Sequence, residues 1–265
     1  MKSGARIKAE NLSKIFSTAK HDTTAFKDLD FEVQAGEFVC LLGPSGCGKS
    51  TVLSIMNGLE QPTTGELTIQ SNQKSSADIK VGMVFQENGL FPWMTLLQNI
   101  KFILDSQPTL ATKDTEALSV HHLSQVGLGK FLNHYPHQLS GGMRQRAAIA
   151  RSFAIDPDLL LMDEPFVFLD YQTRLQIQQM LMKLWQDANK TVVFVTHDIE
   201  EAVLLADRII VLTAHPGRIK TTMTVDLPRP RDFFALKKSD RFHELVQQAS
   251  SLIQEELNEL GEQSK

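Results

Sequence analysis

The chain is poor in cysteine, tryptophan and tyrosine, with two of each among its 265 residues. Cys40 and Cys47 have no Cys or His neighbour at ligand spacing, which argues against a metal site or a disulfide scaffold. Long apolar runs are missing as well. The longest candidates, Phe38 to Leu42 and Leu159 to Met162, are strand-sized and far below the roughly 20 residues that cross a bilayer. The opening MKSGARIKAE carries no apolar stretch after its basic residues, so no secretory signal is expected there. There is no cationic excess either: Lys plus Arg number 27 against 31 Asp plus Glu, a net charge of −4. Broad binding to a phosphate backbone has no support, and nucleic acid is not an expected partner. Internal repeats and low-complexity blocks are absent. What remains is a globular mixture, 42% hydrophobic and 22% charged, long enough for one large core or one core with an appended subdomain.

Within that mixture, short apolar runs alternate with longer helical stretches. Val39 to Leu42, Glu66 to Ile69, Val81 to Phe85, Leu159 to Met162, Val192 to Thr196 and Arg208 to Leu212 read as strands. Lys49 to Asn57, Thr112 to Val126, Gly142 to Ala154, Thr173 to Ala188 and Ile199 to Leu205 read as helices, with Pro92, Pro108 and Pro136 interrupting the middle of the chain. Such alternation predicts a largely parallel sheet covered on both sides. The helical middle, roughly 88 to 156, reads as a subdomain inserted between two halves of the sheet. After Leu227-Pro-Arg-Pro-Arg231, the residues Phe242, Leu245, Val246, Ala249, Leu252, Ile253, Leu257 and Leu260 form a stripe of helical period. Packing of that stripe on the main domain is expected. The opposite face, with Glu255, Glu256 and Glu259, lacks the cations of a membrane-surface helix.

The chemistry concentrates at four strand ends. Gly43-Pro-Ser-Gly-Cys-Gly-Lys-Ser50 follows an apolar strand and opens a helix. Its glycines let backbone N–H groups turn towards phosphate oxygens, and the helix adds its positive end. Lys49 can reach β and γ phosphates, and Ser50 can place a hydroxyl on Mg²⁺. Cys47, in a glycine loop before a helix, is expected to be exposed with a lowered pKa. The run Leu159-Leu-Leu-Met-Asp-Glu-Pro165 supplies the second half: Asp163 for the Mg²⁺ shell and Glu164 as general base towards an attacking water. Gln86 and His197 each end an apolar run, the edge at which open α/β sheets bind ligands. Gln86 is assigned to the metal or attacking water, and His197 to the γ-phosphate or the transition state. Each of these residues, taken alone, is also readable as a satisfied polar group at a strand end.

Taken in order with Leu139-Ser-Gly-Gly-Met-Arg-Gln-Arg146, this set strongly resembles the ATP-binding subunit of ABC transporters, over roughly residues 6 to 231. The resemblance implies an α/β P-loop nucleoside triphosphate hydrolase of ABC type. Its fold would be a mainly parallel core sheet with an N-terminal antiparallel β part and an inserted helical subdomain, followed by a C-terminal helical extension over 232–265. ATP and Mg²⁺ are the implied cofactors. Gly43, Pro44, Ser45, Gly46, Cys47, Gly48, Lys49, Ser50 and Thr51 would hold the nucleotide. Phe16 would stack on adenine, with a packing role as its competitor. A second copy, in a head-to-tail dimer sandwiching two ATP molecules, would contribute Ser140, Gly141 and Gly142.

Gln86-Glu-Asn-Gly-Leu-Phe-Pro-Trp93, His215-Pro-Gly-Arg-Ile219 and Leu227-Pro-Arg-Pro-Arg231 are similar to segments of subunits that serve nitrate, sulfonate and taurine importers. The partners so implied are two membrane permease subunits and an extracytoplasmic solute-binding protein. The chain itself would sit on the cytoplasmic face of a bacterial inner membrane. Phe91 and Trp93 would receive a permease loop, core filling being the alternative. The segment Phe166-Val-Phe-Leu169 departs from the family, which has small residues before Leu-Asp. Its bulk lies where two chains are expected to approach, which bears on turnover more than on nucleotide binding. Two other functions compete: a non-transport ATPase switch on nucleic acid or the translation machinery, and a nucleotide-binding regulator with little turnover. The first lacks a second module or a basic arm in this chain; the second draws only on the bulky segment.

Overall fold

The computed structural model describes residues 4–17, 21–71, 74–75, 78–107 and 114–263, with side chains described as far as residue 256. The chain forms two compact units, residues 1–79 with 191–265 and residues 80–190. Its fold is α/β, with a mixed parallel and antiparallel core sheet, an N-terminal antiparallel region and a helical subdomain.

In the first unit, β1 (Arg6–Ser17) lies between β2 (Asp22–Val33) and β4 (Thr64–Gln70), antiparallel to both. Neither β1 nor β2 stands out in the sequence as an apolar run. Register shifts between Ala9 and Leu12 and on either side of Lys14 break the alternation of inward and outward side chains that marks a strand. The parallel strands conform to expectation. β3 (Phe38–Leu42) is buried along its whole length and pairs in parallel with β7 (Thr191–Thr196) on one side and β8 (Arg208–Leu212) on the other. An antiparallel edge strand, β9 (Ile219–Thr224), follows on β8. Its mostly polar sequence suits an edge and conceals it from an apolar-run search.

Among the described residues this unit also holds the helices α1 (Lys49–Met56), α6 (Ile199–Leu205), α7 (Phe233–Leu236) and α8 (Asp240–Gln263). Phe242, Leu245 and Ala249 of α8 are buried, and Val246, Leu252 and Ile253 are half-buried. Glu256 departs from the expected solvent face, being 6% exposed. It accepts a hydrogen bond from the Ala214 N–H at 3.3 Å and pairs with Lys220 at 3.0 Å, which offsets burial of its charge. The side chains of Leu257 and Leu260, also assigned to the stripe, lie outside the described residues.

In the second unit, β5 (Val81–Val84) and β6 (Leu159–Asp163) pair in parallel. The helices are α2 (Leu96–Asp105), α3 (Thr115–Gln125), α4 (Gly141–Ala154) and α5 (Tyr171–Ala188). Helix α2 escapes the sequence reading because Pro92 marks an interruption. A capping box between Thr95 and Gln98 starts it three residues later. Asp114 caps α3, so this helix starts after the expected Thr112, which lies with Pro108 outside the described residues. Leu96, Ile100, Leu104, Leu123, Ala147 and Ala150 pack the helices together, each large side chain worth about 1.5–3 kcal/mol on burial. Among the described residues no helix is long and apolar enough to cross a membrane.

Candidate functional site

Parallel pairing in the first unit decides where the glycine turn lies. Leu42 of β3 is in register with Thr196 of β7, so Gly43 and His197 leave neighbouring strands at the same edge. Two glycines allow the turn that follows: Gly46 and Gly48 have φ of 81° and 88°, left-handed values that side chains resist. A Cβ on Gly48 would also lie 2.9 Å from the Ala25 carbonyl. Ser45 and Gly46 are exposed at the crest, whereas Cys47 is buried beneath them.

Lys49 begins α1 and is 5% exposed. Its ammonium donates to the Gly43 and Pro44 carbonyls, both at 2.8 Å, and lies 3.6 Å from the Cys47 sulfur. No carboxylate pairs with it among the described residues. A buried ammonium without a counter-ion is costly, and an anion brought to the turn offsets that cost. Helix α1 adds to this field. Gly48 offers it no side-chain cap and its first turn has no acidic residue, so its leading N–H groups point a positive end at the turn. These residues fit a polyphosphate.

The Cys47 expectation needs correction. Burial pushes its thiol pKa up, opposed by the nearby Lys49 charge, and Cys40 is driven up further by burial within β3. Position before a helix lowers a thiol pKa only when the sulfur is solvated. Here it faces the floor of the turn.

His197 is exposed directly after β7, on a turn held three ways. Thr196 donates to the Glu201 carboxylate at 2.7 Å and accepts from the Asp198 N–H at 3.0 Å, and Asp198 caps α6 by accepting from the Glu201 N–H at 3.2 Å. Phe16 presents a ring that is 38% exposed, with the Lys14 ammonium 4.8 Å from its centroid. That exposure does not suit the competing role in core packing.

The second unit repeats the pairing device. Val84 of β5 is in register with Met162 of β6, so the segments bearing Gln86 and Asp163-Glu164 leave adjacent strands together. Glu164 has φ of 42°, a left-handed conformation rare for a non-glycine residue. Such strain, about 1–3 kcal/mol, concentrates where a side chain must be aimed. Gln86 is exposed on the turn after β5. Two residues absent from the sequence reading secure the chain beyond it. Arg151 of α4 donates to the carbonyls of Gly89 at 2.7 Å and Asn88 at 3.2 Å. The fully buried Asn99 accepts from the Phe91 N–H at 2.8 Å and donates to the carbonyls of Phe91, Met94 and Thr95. Burial lowers the Arg151 pKa from its ordinary value. Neither residue is distinguishable from an ordinary helical polar position without its partner in view. The strap so fixed carries Phe91 and Trp93, whose rings lie 5.6 Å apart, with Trp93 69% exposed.

Ser140 is exposed and caps α4, accepting from the Met143 N–H at 3.3 Å. The two following glycines differ in their surroundings. A Cβ on Gly142 would lie 2.4 Å from Thr173 Cγ2 of α5, whereas one on Gly141 would meet nothing closer than 3.9 Å. Gly142 is thus required by helix packing whatever else it does. In the bulky segment, Phe166 is buried and Phe168 is 72% exposed. The excess volume is therefore carried by the exposed Phe168 ring and the half-buried Val167. Among the described residues no cluster of His, Cys, Asp or Glu could hold a metal ion by itself.

Comparison with known proteins agrees with this arrangement. A protein-family profile described as ABC transporter matches residues 26–167. An uncharacterized ABC transporter ATP-binding protein of Methanocaldococcus jannaschii is 46% identical over 86% of this chain and 85% of its own length. A nitrate import ATP-binding protein of Synechocystis sp. is 38% identical over 93% of this chain and 94% of that protein. A bicarbonate transport ATP-binding protein of the same organism is 39% identical over 92% and 87%. Among solved structures, a dimeric bacterial ABC transporter cassette superposes with a TM-score of 0.72 at 35% identity, covering 84% of this chain and all of that one. A dimeric post-hydrolysis state of an ATP-binding cassette bound to ADP and Pi matches equally well.

Proposed function

Because the chain belongs to the ABC transporter family of ATP-binding proteins, we propose that it is the ATP-hydrolysing, energy-coupling subunit of an importer for a small oxyanion. The observation that carries this reading is the buried Lys49 ammonium, held without a carboxylate among the described residues in a glycine turn at the head of an uncapped helix. Lys49 and residues 43–51, through their backbone N–H groups at every position but Pro44, bind and orient the β and γ phosphates of ATP. Ser50, Asp163 and Gln86 would hold Mg²⁺, which would supply neutralisation of phosphate charge as the anhydride breaks. Glu164 takes a proton from the attacking water as its oxygen bonds to the γ-phosphorus, and His197 donates to the γ-phosphate oxygens. The exposed Phe16 ring stacks on adenine.

Ser140, with Gly141 and Gly142, serves the γ-phosphate of a second copy in a head-to-tail dimer. The exposed Ser140 hydroxyl and the dimeric solved relatives support this. Two permease subunits engage the strap at Phe91 and Trp93 on the cytoplasmic face of the membrane. A solute-binding protein delivers the solute to them from outside. Nitrate, taurine and other sulfonates are the solutes suggested by sequence resemblance, and the bicarbonate relative widens the group while leaving it anionic. Uptake of labelled nitrate, bicarbonate and taurine by a reconstituted complex tests this directly. Uptake of one of them with wild-type subunits and its loss with Glu164→Gln supports the proposal; ATP-independent uptake contradicts it.

A further inference from the structure

The phosphate-binding turn is clamped from one side by the connection between β8 and β9. At its start, a Cβ on Gly43 would lie 2.9 Å from the Leu212 carbonyl, at the end of β8. At its far end, a Cβ on Gly217 would lie 2.1 Å from the Cys47 carbonyl, so the connection's backbone rests directly on that of the turn. Gly217 is held there by donating to the Ala25 carbonyl at 3.1 Å and accepting from the Lys27 N–H at 2.9 Å. Thr213 closes the connection on itself: its N–H donates to the Arg218 carbonyl at 2.8 Å, and its hydroxyl accepts from the Arg218 N–H at 2.9 Å. Between these anchors, the Ala214 N–H donates to the buried Glu256 carboxylate of α8. The other oxygen of Glu256 holds Lys220 of β9, whose ammonium also donates to the Leu252 carbonyl at 3.2 Å.

We propose that Glu256 is a positioning residue for the phosphate loop: it fixes the 213–218 connection against Cys47 and Gly43, and so couples docking of the C-terminal helix to nucleotide affinity. The inference rests on the reading of Gly43–Ser50 as the nucleotide loop. Removing the carboxylate leaves the Ala214 N–H without its acceptor and Lys220 with only Glu255 and the Leu252 carbonyl, so the middle of the connection is held less firmly over the turn. By reciprocity, nucleotide bound at the turn must hold the connection and α8 more firmly.

ATP binding to the full chain is measured by calorimetry, alongside amide hydrogen exchange with and without saturating ATP. Glu256→Ala is expected to weaken ATP about tenfold with the number of sites per folded chain unchanged. Steady-state assay should show the loss as a raised KM with kcat retained, whereas a merely structural defect would lower the active fraction. In the wild-type chain, ATP should slow exchange at Ala214 and through residues 252–256, a readout that needs no variant and decides the matter should Glu256→Ala not fold. Wild-type affinity in a folded Glu256→Ala variant, or exchange at Ala214 indifferent to ATP, overturns the proposal. A wild-type chain that binds no ATP at all instead overturns the nucleotide-loop reading on which it rests.

Discussion

Leu42 and Thr196 face each other in register on parallel strands, which sends Gly43 and His197 out of the sheet side by side. Val84 and Met162 do the same for Gln86 and Asp163 in the other unit. Each unit thus places its polar residues by strand pairing, with rigidity drawn from wholly or largely buried strands. Loops alone would not hold such side chains to the tolerance that phosphoryl transfer demands.

Replacement of Lys49 by alanine removes the buried ammonium and its two carbonyl bonds. The change should weaken ATP binding about 10- to 100-fold, as expected for charge-assisted hydrogen bonds to phosphate. Equilibrium titration with ATP checks this, and unchanged affinity would remove Lys49 from the site. The variant should remain folded, because the displaced charge had no ion-pair partner among the described residues.

Both cysteines are buried with raised thiol pKa values. Alkylation of the native chain at pH 8 should run more than about tenfold slower than in denaturant, because little thiolate forms and access is closed. The sign of the pH effect follows from the raised folded-state values. Their contribution to stability is complete below the ordinary thiol pKa and is lost as pH rises through the folded-state values. Denaturant midpoints falling at alkaline pH, less steeply in a Cys47→Ser variant, would bear this out. Fast labelling of native Cys47 would contradict it.

The parts legible in the sequence were those with local signatures. Apolar runs mark β3, β6, β7 and β8, and glycine spacing marks the turn after β3. Elements β1 and β2 were hidden by register shifts and interleaved charges, and α2 by the proline ahead of its cap. Glu256 looked like one more solvent-facing glutamate because its reasons for burial, Ala214 and Lys220, lie about 40 positions away in the chain. Gly217 was legible as part of a motif, but its seat against Cys47 is a contact that no periodicity reports.

Gly142→Ala should drive a methyl into Thr173 and destabilise the chain by about 1–3 kcal/mol. Adding Thr173→Ser deletes the opposing Cγ2 and should recover most of the loss. Urea unfolding of the two single variants and the double variant measures the coupling. Strict additivity would mean that the two helices do not meet as described.

Trp93→Ala removes an exposed ring from the strap held by Arg151 and Asn99. ATP affinity of the chain alone should be unchanged. Association with permease subunits should weaken about 30-fold, as for an aromatic anchor at the centre of an interface. Co-purification from detergent reads this out, and wild-type recovery would move the coupling surface elsewhere.

Glu164 leaves β6 at a left-handed backbone angle, and on the proposed reading it activates water for ATP hydrolysis. Phosphate release by wild-type and Glu164→Gln chains at saturating ATP, with ATP binding measured in parallel, tests it most directly. Turnover should be at least about 100-fold slower in the variant, with ATP binding retained. Equal rates of phosphate release from the two chains would contradict it.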